Sequence, residues 1–213
     1  MGIPVLIIGK SGSGKSASMR NLKADEAAII NVMGKTLPFR NELKTAATTD
    51  YTKIKKWLSG TDKKINIIDD AGYLITDHFM TGHSKAGKGS AVFDLYNDIG
   101  DNFYELIRFI PQSLPKDHIV YIIMHEDRTD AENIKPKTIG KVLDEKVCLE
   151  GLFTIVLRST TDGEKYVFLT RTTGNDVTKT PIGMFEEAAV DNDIKLIDDT
   201  IRNYYQSENE EEN

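Results

Sequence analysis

Short apolar runs rich in β-branched residues alternate with amphipathic segments along this chain. Four runs have the length and composition of buried strands, and they cover 3–8, 27–33, 65–70 and 119–124. Two further runs, 152–158 and 165–170, flank Asp162-Gly163 and predict a β-hairpin. Because strands that alternate with helices favour an α/β fold, we expect a mainly parallel central sheet with this hairpin at its edge.

Apolar residues at three- and four-residue steps predict the longer helices, and good helix formers without a breaker predict a short one after the first strand. The predicted helices cover 17–23, 51–60, 91–110 and the residues from 193 onward. Asp50 is expected to cap the second of them, and Pro111 to end the third. The segments 76–90 and 126–146 are polar and have no period, which is typical of long loops.

Length and charge narrow the class of protein. A chain of 213 residues is typical of one domain, which we place at 1–205, and the acidic tail at 206–213 is expected to be disordered. The formal net charge of −6 excludes a protein that coats nucleic acid by bulk charge. No apolar run reaches membrane-spanning length and no signal peptide is recognisable, so we expect a cytoplasmic protein without a membrane partner.

The first predicted strand runs directly into a glycine-rich motif. Residues 9–16 fit G-x-x-x-x-G-K-[ST] at every fixed position. Glycines allow backbone N–H groups to approach phosphate oxygens, and the start of a helix adds further donors. Lys15 can reach the β- and γ-phosphates, and the Ser16 hydroxyl can ligate Mg²⁺. The predicted nucleotide-binding residues are Gly9, Lys10, Ser11, Gly12, Ser13, Gly14, Lys15, Ser16 and Ala17.

Polar residues follow two other predicted strands at the edge where phosphate binding is expected. Asp69 ends the third strand, where a P-loop NTPase needs a carboxylate to hold the Mg²⁺ shell together with Ser16. Asp70 is expected either to orient the attacking water or to cap the following turn. His125 ends the fourth strand, and it is expected to sense the γ-phosphate, the alternative being a histidine satisfied by a backbone carbonyl.

Several arginine and lysine side chains could either contact a ligand or simply be solvated. Arg171 follows the hairpin's second strand and could supply charge to the γ-phosphate of its own or a neighbouring subunit, and Lys179 is a similar candidate. The two predicted loops carry lysines that could contact a nucleic-acid backbone. The predicted DNA-binding residues are Lys85, Lys88, Lys135, Lys137 and Lys141.

The glycine-rich motif and four later segments resemble a family of phage-encoded AAA-family ATPases. Those segments are 67–70, 121–126, 135–141 and 191–195. The family has a RecA-like P-loop NTPase core and belongs to phage replication and recombination modules, and some relatives are single-strand annealing proteins of the Sak type. The resemblance implies ATP, Mg²⁺, single-stranded DNA and self-association, and it admits a phage single-strand-binding protein or helicase as partner.

By the same resemblance, Lys15, Ser16, Asp69 and His125 take nucleotide roles, and the two predicted loops take the places of RecA's DNA-contacting loops. The implied activity is ATP hydrolysis coupled to annealing or strand exchange in the cytoplasm of an infected host.

One departure from the RecA pattern leaves the catalytic base open. RecA-type enzymes place a glutamate after the second strand, whereas this strand runs into Gly34-Lys35-Thr36 and the nearest glutamate is Glu42. Asp70 and Glu42 are both candidates, and hydrolysis is expected to be slow if neither serves well. An ATP-gated regulator or helicase-loader module is therefore one alternative. A nucleotide kinase is another, but the seven arginines are scattered singly and form no phosphate-clamping lid.

Overall fold

The computed structural model describes residues 1–87, 89–129, 131–139, 143 and 147–211, with side chains described as far as residue 206. The described part is an α/β protein with a mixed, mostly parallel sheet. Its strands are β1 (Ile3–Gly9), β2 (Ala27–Asn31), β3 (Thr45–Ala46), β4 (Ile65–Asp69), β5 (Ile119–Arg128), β6 (Ile134–Pro136), β7 (Ile155–Thr161), β8 (Tyr166–Leu169) and β9 (Ala189–Asp191). Its α-helices are α1 (Tyr51–Gly60), α2 (Gly72–Ala86), α3 (Ser90–Ser113) and α4 (Ile194–Glu211).

The strand order across the sheet is β3-β2-β4-β5-β1-β7-β8-β9, and β6 pairs with β5. The strands from β3 to β7 in this order are parallel, whereas β8 and β9 are antiparallel to their neighbours. In the register, Gly9 lies opposite both His125 and Ser159, and Asn31 lies opposite Asp69. The carboxyl ends of β1, β2, β4 and β5 therefore meet at one edge of the sheet.

Helices cover both faces of the sheet. Leu6 and Ile8 of β1 belong to the apolar cluster that includes residues of α1, α2 and α3. Val5 and Ile7 of the same strand belong to a second cluster, which includes α4. Because alternate residues of a strand point to opposite faces, β1 is buried on both sides, as parallel strands usually are.

Several predicted elements are confirmed. Helix α1 begins after Asp50, whose carboxylate accepts hydrogen bonds from the N–H groups of Thr52 and Lys53. Helices α3 and α4 lie where the apolar period predicts them. Strands β7 and β8 form the predicted hairpin, but β7 also pairs in parallel with β1, and the unpredicted strand β9 adds a further edge.

The helix expected over 17–23 is wrong. The glycine-rich loop leads instead into a single 3₁₀ turn at Ser16–Met19. Residues 10–26 must cross β5 and β4 and return to the opposite end of the sheet before β2 begins. The buried side chains of Met19 and Leu22 hold this short connection against the sheet, which leaves little chain for a longer helix.

The loop expected over 76–90 is also wrong, because α2 covers most of it. Leu74 and Ile75, near the start of α2, are buried in the core. The Phe79 ring stacks on Tyr96 of α3 with 5.6 Å between ring centroids. These few apolar contacts stabilise a helix most of whose other residues are polar or small. Lys85 therefore lies in the last turn of a helix, and Lys88 lies outside the described residues.

The loop expected over 126–146 is wrong in its first half. Strand β5 continues to Arg128 and pairs with β6 in an antiparallel hairpin, with Glu126 opposite Pro136. An unbroken run of four polar residues at the strand end, 125–128, concealed this extension in the sequence. Lys135 and Lys137 lie on or next to β6, whereas Lys141 lies outside the described residues.

Two expected helix ends differ from the structure. Pro111 lies inside α3, which continues to Ser113, because a proline there removes one donor from the last turn without ending it. Helix α4 continues to Glu211, although we expected disorder from residue 206; the segment 206–211 contains neither glycine nor proline. None of the helices in the described ranges is both long and apolar enough to cross a membrane.

Candidate functional site

The glycine-rich loop, residues 9–16, connects β1 to the 3₁₀ turn in a conformation that requires glycine. Gly12 and Gly14 have φ angles of 78° and 92°, which disfavour any other residue. A Cβ atom on Gly14 would lie 2.6 Å from Cγ of Tyr166, a residue of β8. The Ser159 hydroxyl donates to the Ser13 carbonyl over 2.7 Å, so β7 holds the loop from behind.

Lys15 lies at the centre of this loop and is only 6% exposed. Its Nζ donates to the carbonyl oxygens of Gly9 at 2.9 Å and Lys10 at 2.7 Å. Nζ also lies 3.5 Å from Nδ1 of His125, the residue of β5 that lies opposite Gly9. Burial lowers the pKa of Lys15, and the negative charges of Asp70 and Asp69 oppose that shift.

A hydrogen bond joins the loop to the end of β4. The Ser16 hydroxyl lies 3.1 and 3.0 Å from the two carboxylate oxygens of Asp69. Asp69 is 2% exposed, and burial, together with the charge of Asp70, raises its pKa to about 6. A hydroxyl beside a carboxylate supplies the oxygen ligands that Mg²⁺ prefers. No cluster of three or more His, Cys, Asp or Glu residues within the described ranges could hold a metal alone, so phosphate and water oxygens would complete the shell.

Asp70 lies directly after β4 with a φ angle of 60°, which is unusual for a residue other than glycine. Its carboxylate accepts from Nζ of Lys35 over 2.6 Å, and its second oxygen lies 3.6 Å from Nε2 of His125. Asp70 is therefore held between two basic side chains. The sequence did not single out Lys35; the signal that could have found it is its position four residues after Asn31, the last residue of β2.

His125 lies between the loop and Asp70. Its ring meets Tyr73 edge-on with 6.0 Å between centroids. Burial and the neighbouring charge of Lys15 lower the pKa of His125, so the imidazole is largely neutral at pH 7 and its contact with Asp70 is not an ion pair. The N–H of Lys137 donates to the His125 carbonyl over 2.8 Å, which ties the β5-β6 hairpin to the site.

A buried ion pair lies next to His125. Arg158 of β7 donates to both carboxylate oxygens of Glu126, at 2.8 and 3.1 Å. The Glu126 side chain is 2% exposed. Sequence reasoning missed this pair, because nothing in a single sequence indicates that two residues 32 positions apart lie on strands flanking β1.

These residues surround one cavity of about 890 Å³, a volume that suits a small-molecule ligand. Seven of the nine predicted nucleotide-binding residues line it. They are Lys10, Ser11, Gly12, Gly14, Lys15, Ser16 and Ala17. The other two, Gly9 and Ser13, are not lining residues and lie close to each other, since a Cβ on Gly9 would meet Ser13 Oγ at 2.5 Å. Asp69, Asp70 and His125 also line the cavity, together with Lys35, Glu126 and Lys137.

Other predicted residues lie elsewhere. Arg171 is exposed, and its guanidinium donates to the backbone carbonyls of Phe185 and Glu186. The exposed Glu42 and the backbone-paired Lys179 do not line the cavity either. Lys85 and Lys135 likewise lie outside its lining. The described residues therefore bring the loop, Asp69, Asp70 and His125 together, but they do not bring Arg171 to them.

No protein-family model matches this chain, and no curated protein matches it either. The geometry of the cavity and the order of motifs along the chain are therefore the features that indicate a function.

Proposed function

We propose that this protein is a P-loop NTPase with a RecA-like core, which binds ATP with Mg²⁺ and hydrolyses it. The observation that carries the proposal is the hydrogen bond from Ser16 to Asp69 beside the buried Lys15. Two chain segments 53 positions apart thus present a cation, a hydroxyl and a carboxylate to one cavity. The position of β5 between β1 and β4, the strand arrangement of RecA-type cores, supports the same assignment.

Each residue has a distinct part in the proposed reaction. The backbone N–H groups of the loop and Lys15 bind the β- and γ-phosphates. Ser16 and Asp69 would hold Mg²⁺, which would supply positive charge to the phosphate oxygens. Water attacks the γ-phosphorus, the bond to the bridging oxygen breaks, and ADP and phosphate leave. Asp70 is the better-placed candidate to orient that water, because it lines the cavity and Glu42 does not.

Two alternatives make different predictions about turnover. An ATP-gated module with little hydrolysis is favoured by one observation: Asp70 and Glu126, the two carboxylates outside the metal site among the described lining residues, are both paired with cations. A nucleotide kinase is disfavoured, because no arginine is among the described residues that line the cavity.

The three candidate functions are distinguished by measuring phosphate release from ATP. The measurement is made with and without single-stranded DNA, and with nucleoside monophosphates as acceptors. Stimulation by DNA supports the ATPase. Binding of ATP without turnover supports the module, and phosphorylated acceptors would identify a kinase.

We further propose that the protein acts on single-stranded DNA in phage recombination or replication, as a self-associating annealing or strand-exchange protein. The resemblance to the phage ATPases motivates this part of the proposal. Its structural support is the hydrogen bond between Lys137 and the His125 carbonyl, through which a change at the γ-phosphate can reach the β5-β6 hairpin. A phage single-strand-binding protein or helicase is the proposed partner class.

Replacement of Lys135 and Lys141 by alanine is expected to weaken binding to single-stranded DNA. Lysine contacts to a DNA backbone release counterions, so the slope of log K against log salt is expected to flatten by about 0.7 for each lost contact. Fluorescence anisotropy with a labelled oligonucleotide at several salt concentrations measures this slope. Binding of ADP should be unchanged in the same variant, because Lys135 is not among the described residues that line the cavity and no nucleotide role is proposed for Lys141.

The matched control replaces two exposed lysines of α1, Lys53 and Lys56, by alanine. This variant loses the same charge far from the hairpin in sequence and should keep the parent's slope. If both double variants bind DNA like the parent at every salt concentration, Lys135 and Lys141 do not form the DNA site.

A further inference from the structure

We propose that Lys35 is a catalytic residue, a cation that moves from Asp70 to the terminal phosphate of the nucleotide. The inference rests on the proposed ATPase function and adds a residue at the position where RecA-type enzymes carry a glutamate.

The turn after β2 fixes the backbone of Lys35 at the edge of the site. The side chain of Asn31 donates to the Lys35 carbonyl over 2.8 Å and accepts from the Lys35 N–H over 3.2 Å. Gly34 supports the turn with a φ angle of 63° and donates its N–H to the Asn31 carbonyl. Since Asn31 lies opposite Asp69 in the sheet, this clamp places Lys35 next to the end of β4.

The side chain of Lys35 is held by contacts that it can exchange. Its Nζ lies 2.6 Å from a carboxylate oxygen of Asp70 and 4.9 Å from the centroid of the Tyr73 ring. The side chain is nevertheless 53% exposed, whereas the Asp70 side chain is 11% exposed. A fixed backbone and a half-exposed amine allow Nζ to move while the turn stays in place. Lys35 also lines the cavity itself.

The charges of the cavity give that movement a cause. Arg158 neutralises Glu126, and Mg²⁺ would neutralise Asp69, so among the described lining residues Asp70 is the remaining carboxylate that faces an arriving triphosphate. Two anions close together repel each other unless a cation lies between them. Lys35 is the cation already in contact with Asp70. When Nζ shifts to the terminal phosphate, it stabilises charge there and leaves the Asp70 carboxylate able to accept a hydrogen bond from water.

This role differs from that of Lys15, which is enclosed by the loop and is proposed to contact both the β- and the γ-phosphate. Lys35 should contact the terminal phosphate alone. Loss of its charge should therefore weaken binding of a triphosphate and slow hydrolysis while leaving the binding of ADP unchanged. A lysine that only supported Asp70 would affect both nucleotides alike.

The test compares the full-length protein with Lys35→Gln by calorimetric titration in the presence of Mg²⁺. The ligands are ADP and the ATP analogue that carries an imido group between the β- and γ-phosphorus atoms. We expect Lys35→Gln to bind the analogue roughly 10- to 100-fold more weakly, the range for one lost charge-assisted hydrogen bond, and to bind ADP like the parent. Its kcat for ATP should fall at least as much. Lys35→Arg should retain most of the preference for the triphosphate, because it keeps the charge.

The matched control is Lys53→Gln, which removes one lysine charge from α1 and should change neither affinity. Unchanged binding of the analogue by Lys35→Gln, or an equal loss for both ligands, would overturn the assignment of Lys35. The same holds if Lys35→Arg loses the preference as completely as Lys35→Gln. If the parent protein binds neither ligand, the proposed function itself fails and the role of Lys35 fails with it.

Discussion

Replacement of Lys15 by alanine is expected to abolish ATP turnover while the protein stays folded. The Lys15 ammonium is the cation enclosed by the glycine-rich loop, 2.9 Å from the Gly9 carbonyl and 2.7 Å from that of Lys10. Removal of a preorganised donor from a site where charge develops costs about 10²–10³-fold in kcat. Loss of the β-phosphate contact should weaken ADP binding as well.

The fold should survive this change because burial makes the positive charge of Lys15 unfavourable in the folded protein. Burial lowers the pKa of Lys15, so the ionised amine is less favourable in the folded protein than in water. Alanine removes that unfavourable charge together with two hydrogen bonds, and the two effects oppose each other. Urea unfolding should therefore show only a small change in the free energy of unfolding.

Turnover is measured by phosphate release and folding by circular dichroism. The control Lys23→Ala removes an exposed lysine beyond the 3₁₀ turn and should behave like the parent. A folded Lys15→Ala protein with normal turnover would show that the cavity is not an ATPase site.

The elements that the sequence predicts well are those with an apolar period or a recognisable motif. The glycine-rich loop, Asp69 and the strand before it follow directly from residue types, because a buried strand that ends in a carboxylate has a distinct pattern. The sequence did not predict α2, because the stability of this helix depends on contacts with α3 that no local pattern reveals. The contact between Phe79 and Tyr96 is one of them.

The partners of the site residues were harder to predict than the residues themselves. Asp70 was a candidate from its position, but its ion pair with Lys35 depends on β2 lying beside β4. The pairing of Glu126 with Arg158 depends in the same way on the strand order around β1. Sequence therefore predicted which side chains reach the edge of the sheet, and tertiary structure decided which of them neutralise each other.

Replacement of Asp69 by asparagine is expected to stabilise the nucleotide-free protein at pH 7 and to abolish Mg²⁺-dependent hydrolysis. Burial and the charge of Asp70 raise the pKa of Asp69 from 3.8 to about 6. A carboxyl whose pKa is higher in the folded state contributes stability that is complete below the unfolded pKa and is lost as the pH rises through the folded pKa. At pH 7 the ionised Asp69 therefore destabilises the folded protein, by on the order of 2 kcal/mol.

Asparagine removes this unfavourable charge and keeps an oxygen that can accept from Ser16 or from the N–H of Asp70, as Asp69 does now. It also removes a counter-charge of Lys15, which reduces the gain, although Asp70 remains beside that lysine. The Mg²⁺ site loses its carboxylate, so hydrolysis should stop even though the loop can still bind phosphate. Greater stability and lost activity in one variant would mark Asp69 as a residue retained for function.

Urea unfolding at pH 7.5 and pH 4.5 tests the sign of the effect. The advantage of Asp69→Asn over the parent should be large at pH 7.5 and should shrink at pH 4.5, where the parent's Asp69 is mostly protonated in the folded protein. The control Asp62→Asn changes a largely exposed carboxylate and should show no such pH dependence. An asparagine variant less stable than the parent at pH 7.5 would mean that the ionised carboxylate is held by favourable contacts. Normal Mg²⁺-dependent turnover in that variant would mean that the end of β4 does not hold the metal.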